Sequence, residues 1–131
     1  MTSPLPNTFI LAGFLTLLAT GALFASFGAL FPSLQQRFGL SESEVGVLVT
    51  MTSVGGILGS TVIGLAEGFL AFRFRVLSGS LLATLGVTAL AYSPLWWMIL
   101  VSGFIAGVGT AVLTVEVNGS FAKGFGERSA A

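Results

Sequence analysis

Neither cysteine nor histidine occurs in these 131 residues. Their absence excludes a disulfide framework, the usual thiolate and imidazole zinc sites, and any triad that needs an imidazole base. Charge is almost as scarce, at 8% of the chain against about 25% in a soluble domain that must wet its surface. The few charges balance, five basic against five acidic, so no net field draws nucleic acid. Met1 to Asn7 hold no Lys or Arg, and the apolar run that follows is too long for a signal-peptide core, so no cleavable leader is expected. No glycine-rich phosphate loop precedes a Lys-Ser or Lys-Thr pair, and no two carboxylates share one face of a cleft. The expectation is a protein that is not an enzyme and holds no cofactor or metal.

What remains is apolar: 54% of residues are hydrophobic, 11% are aromatic and 18 are glycine. Glycine is commoner in membrane helices than in soluble ones, and a bilayer is the solvent that makes such a composition sensible. The basic residues Arg37, Arg73, Arg75, Lys123 and Arg128 divide the chain into four apolar blocks. Thr8 to Phe31 is uncharged and, as a helix, reaches about 36 Å, enough for a hydrocarbon core of about 30 Å. Pro4 and Pro6 precede this block and Pro32 follows it. The second block, about 45–66, is preceded by Ser41-Glu42-Ser43-Glu44, which fits a capping box. The third covers about 72–92. Pro94 breaks the chain, and Trp96 and Trp97 open the fourth, about 95–121, as rings suited to a headgroup boundary. A soluble bundle would need polar faces that these blocks lack.

The fold class expected is therefore an all-α membrane protein of four transmembrane helices in one domain, residues 1–131, multi-pass in a bacterial inner membrane. Arg73, Arg75, Lys123 and Arg128 fall on one side, and only Arg37, with Glu42 and Glu44, falls on the other. Cytoplasmic loops retain Lys and Arg, so both termini are predicted to face inward.

Helices in lipid pack through small residues that let backbones approach. Gly55 and Gly59 make one such pair on the second helix, while Gly46, Thr50, Ser53, Ser60, Gly64 and Glu67 form a separate stripe. On the fourth helix, Gly103, Gly107, Thr110, Ala111, Thr114 and Asn118 gather within about 100° of arc. Such a face serves helix packing, with hydroxyls bonded back to the preceding turn, or it walls a polar pathway. One face can do both at its two ends. Glu116 is the ionisable residue set inside an apolar block, where a charge costs roughly 3 kcal/mol on insertion scales. It points away from the Gly103–Asn118 stripe and lies two turns from Lys123, which favours a carboxylate paired near the inner interface over one lining the pathway. Glu67, Arg73 and Arg75, taken alone, are markers of the same boundary.

The run Phe31-Pro32-Ser33-Leu34-Gln35-Gln36-Arg37-Phe38-Gly39-Leu40-Ser41 and its continuation Glu44-Val45-Gly46 resemble the first outer loop and second helix of major facilitator superfamily transporters. Gly103, Gly107 and Gly109 followed by Asn118 resemble the fourth helix of the fucose-permease-like sugar transporters, and Gly126 to Ala131 resembles the loop into their fifth. The resemblance implies the first third of a twelve-helix secondary transporter: helices one to four of a six-helix half, moving a small polar solute, such as a sugar, by alternating access, with symport of a proton. It implies a substrate pathway at Asn118, Thr114 and Thr110, proton coupling at Glu116, and an inner-loop gate at Glu67 with Arg73 and Arg75. The partners implied are the bilayer, the solute, a coupling proton, and either the missing C-terminal helices or a second copy. Two alternatives stand beside it: a complete four-helix protein acting as a dimeric small-molecule exporter, and an inactive membrane fragment. Small exporters carry an essential acid in their first helix, and none occurs here.

Overall fold

The structure, a computed structural model, describes residues 7–129, with the side chains of residue 27 and residues 124–129 outside the description. Pro4, Pro6 and the Arg128 side chain, named above as boundary signals, lie outside the described residues. Four α-helices follow one another: α1 Asn7–Phe38, α2 Glu42–Ala66, α3 Phe72–Tyr92 and α4 Trp96–Ser129. All four are long and apolar enough to cross a membrane.

Local chemistry sets the helix ends. Helix α1 runs on through Pro32 to Phe38, a full two turns beyond the apolar block. Proline removes one intrahelical hydrogen bond, but Leu34 and Phe38 find a docking site against Leu48, Ile99 and Trp96, and that packing outweighs the break. Gly39 then ends the helix in the left-handed conformation, φ +65°, and the Leu40 N–H donates to the Gln35 carbonyl at 3.2 Å, as in a Schellman motif. Two residues later the capping box forms: the Glu44 N–H donates to Ser41 Oγ, and the Ser41 N–H donates to the Glu44 carboxylate at 2.8 Å.

Helix α4 is the centre of the bundle. Both α2 and α3 pack along it, while α1 touches α4 and α2 more lightly. Of the apolar stretch of α4, 44% is buried, against 6% for α1. Glycines make the close contacts possible. A Cβ on Gly59 would sit 2.7 Å from the Val108 carbonyl oxygen, and one on Gly55 would collide with the Phe104 carbonyl. From the other side, Gly107 abuts the Thr52 backbone and Gly103 abuts the Leu48 side chain. Those four are the glycines that the sequence assigns to packing. A second set, Gly79, Gly86 and Gly109, joins α3 to the opposite face of α4, with Gly86 against the Ala106 backbone and Gly109 against Ala83. Helix α4 thus carries one glycine face towards α2 and another towards α3.

Candidate functional site

At the end of the bundle where α2 stops and α3 starts, Arg75 lies 7% exposed and faces Glu116 of α4, 6% exposed. The pair is bidentate: Arg75 Nε donates to Glu116 Oε1 at 2.6 Å and Nη2 donates to Oε2 at 3.0 Å. Arg75 Nη1 donates to two carbonyls of the α2–α3 connection, Glu67 at 3.1 Å and Leu70 at 2.6 Å. A planar guanidinium with its donors in a fixed fork suits this double duty, and a lysine could not reproduce it. One side chain therefore ties the end of α2, the start of α3 and the middle of the lower half of α4.

A second ion pair lies outside the first. Lys123 of α4 donates to the Glu67 carboxylate, with both side chains more than half exposed. The hydrogen bond from Lys123, reinforced by its charge, holds the Glu67 carboxyl below the usual range. The contribution of this latch is complete above the ordinary carboxylate pKa and is lost as the pH falls through the lowered value. Thermal midpoints followed from neutral pH into acid should therefore fall less steeply for Lys123→Gln than for the parent. Equal slopes would mean that the latch contributes nothing measurable. Arg73, assigned with Arg75 to the gate, is exposed and takes no part in either pair.

Two clefts flank α1 where it crosses α4. One, of about 370 Å³, lies between α1, α2 and α4 and is lined by Phe24, Thr52, Ser53, Gly56, Ile57, Ser60, Gly107, Thr110, Ala111, Thr114 and Val115. The other, of about 430 Å³, lies between α1, α3 and α4, with Thr16, Thr20, Ser80, Thr84, Thr88 and Thr110 supplying its hydroxyls. Thr110 borders both. Most of these hydroxyls donate to their own helix: Thr52 to the Leu48 carbonyl at 2.9 Å, Thr110 to Ala106 at 2.9 Å, Thr114 to Thr110 at 2.8 Å and Thr84 to Ser80 at 2.8 Å. Each oxygen keeps a lone pair for an incoming donor. Among the described residues, no ionisable side chain lines either cleft.

The α4 stripe accordingly divides along its length. Gly103 and Gly107 meet α2, while Thr110 and Thr114 reach cleft walls. Asn118 does not join them: it is exposed and absent from the lining of the α1–α2–α4 cleft. Eight residues along a helix turn it about 80° away from Thr110 and carry it about 12 Å further down. Glu116 lies on the α3 side of α4, away from the α1–α2–α4 cleft. Sequence reasoning missed its partner, Arg75. Depth is the signal that points to it: Arg75 lies three residues inside the start of α3, and Glu116 lies two turns before Lys123, towards the same end of the bundle. Among the described residues no cluster of carboxylates could hold a metal ion. Comparisons with known protein families, with curated proteins and with solved structures return no match to this chain.

Proposed function

We propose that this chain is the N-terminal part of a secondary transporter of the major facilitator type, embedded in a cell membrane with both ends cytoplasmic, and that it contributes one wall of a pathway for a small polar solute. The observation that carries the reading is the pairing of an uncharged, hydroxyl-lined cleft with a charge-locked end. The cleft between α1, α2 and α4 offers Thr52, Thr110 and Thr114 to a solute part-way along the helices. The Arg75–Glu116 pair and the Glu67–Lys123 latch fasten the end that the basic residues mark as inner. Arg75 also donates to the Glu67 and Leu70 carbonyls, tying the α2–α3 connection to the same lock.

Within this reading Glu116 belongs to the lock. Both its oxygens are engaged by Arg75, which favours a structural carboxylate over a proton carrier. Glu67 serves the gate through Lys123, and Arg75 serves it through Glu116. Solute uptake into proteoliposomes by the reading frame extended past Ala131 tests the proposal. Thr110→Val and Thr114→Val, which keep the side-chain shape and remove the hydroxyl, should each lower uptake several-fold while leaving the amount of folded protein unchanged. An extended frame that encodes no further apolar spans would sink the reading.

A further inference from the structure

Helix α1 is built firmly into the bundle at one end and packs more lightly along the rest of its length. At the Trp96 end it is built into the bundle: Leu34 is 7% exposed against Leu48 and Ile99, and the Phe38 ring lies 6.2 Å from that of Trp96. At the Lys123 end the contacts are aromatic and superficial. Phe14 pairs with Phe121 at 5.6 Å, Phe9 pairs with Phe72 at 6.4 Å, and the Phe121 ring occupies a notch at Gly13 that any Cβ would fill. Between these points Leu15, Leu18 and Phe24 are about half exposed or more, at 56%, 69% and 49%.

A weak point lies just short of the fixed end. Pro32 has no N–H, so the carbonyl of Gly28, four residues earlier, loses its helical donor. A Cβ on Gly28 or Gly21 would meet only open space, so neither position is packed against a neighbouring helix. Sharp helix bends occur at such positions.

From these observations we infer that α1 is a hinged strap: it pivots at Gly28–Pro32 on its anchored outer end and is released by parting Phe14 and Gly13 from Phe121. A bend of about 20° at the hinge, acting over the 1.5 Å rise of each residue back to Leu11, carries that end about 10 Å from α4. The swing widens both flanking clefts at the Lys123 end, because α1 is a wall of each. Leu23, between the hinge and the latch, packs on the core cluster and is the contact that the bend gives up. A swing of α1 matters to transport only if the clefts carry solute, as proposed above; the swing itself follows from packing alone.

The absence of cysteine lets spin labels be placed at will. One pair, Leu11→Cys with Leu65→Cys, spans the latch end, and a second, Gln36→Cys with Tyr92→Cys, spans the anchored end; all four positions are exposed. Distances are read by pulsed electron resonance in lipid nanodiscs. The latch-end pair should show a minor population about 10 Å longer than the major one, with the anchored pair single and narrow. Phe121→Ala should raise the ratio of long to short by about three- to tenfold, the worth of one aromatic pair. Pro32→Ala, which restores the missing donor, should suppress the long population. A single latch-end distance that Phe121→Ala leaves unchanged overturns the inference. So do equal spreading at both ends, and a long population that survives Pro32→Ala. Because no solute enters this measurement, its failure leaves the transport reading intact, and failed uptake leaves the strap intact.

Discussion

Glu116→Leu should lower the thermal midpoint more than any other single side-chain truncation in the bundle, and Glu116→Leu combined with Arg75→Leu should recover a large part of that loss. The argument rests on what each variant leaves behind. In the single variant the buried Arg75 guanidinium is left with two donors facing a leucine, and the nearby Glu67 carboxylate is already paired with Lys123. An uncompensated buried charge is far worse than a missing pair, whereas two apolar side chains of similar volume in place of a buried pair are often neutral or better. Recovery should still be incomplete, because the double variant also abandons the Glu67 and Leu70 carbonyls that Arg75 satisfies. Trp96 and Trp97 provide the fluorescence for unfolding scans in detergent. If the single variant melts with the parent, Arg75 reaches water and the pair is a surface feature. If the double variant melts no higher than the single, the carbonyls and not the charges dominate.

The second large effect concerns backbone contact. Gly107→Ala should cost about 2 kcal/mol, within the range for overfilling a packed interface. The added methyl meets the Thr52 backbone, which cannot rotate aside as a side-chain tip would. Gly86→Ala, against the Ala106 backbone on the α3 side, should cost a similar amount. The two substitutions press on α4 at adjacent residues, Ala106 and Gly107, so their losses should couple rather than simply add. Gly21→Ala and Gly64→Ala face open space and should be neutral, or stabilising by less than about 1 kcal/mol from helix propensity. Chemical denaturation of the four variants side by side distinguishes packing glycines from idle ones. Equal behaviour across the set would mean that the helices are not in backbone contact.

Some of this architecture is written locally and was legible in the sequence. The capping box needs only Ser41 and Glu44, three residues apart, and the apolar blocks need only lengths and charges. Gly55, Gly59, Gly103 and Gly107 stand out because small residues four apart share a face. Gly79 and Gly86 escape such a reading because seven residues separate them, and Gly109, named above only for a resemblance, meets α3 rather than α2. The Arg75–Glu116 pair bridges 41 residues, so it depends on which helices become neighbours, which local spacing does not encode. Read alone, an arginine at the start of an apolar block is a snorkelling boundary marker. The far end of α1 was misjudged for a related reason. Pro32 is a strong local stop, and only the tertiary site for Leu34 and Phe38 carries the helix past it.

The central place of α4 bears on how the protein is made. Helices α2 and α3 each pack their glycine faces on α4, the last of the four to leave the ribosome. At about 5–20 residues per second, the 34 residues of α4 take roughly 2–7 s to synthesise. Through that interval the nascent chain carries two grooves with no occupant, so a translational pause within the α4 codons prolongs exposure to quality-control proteases.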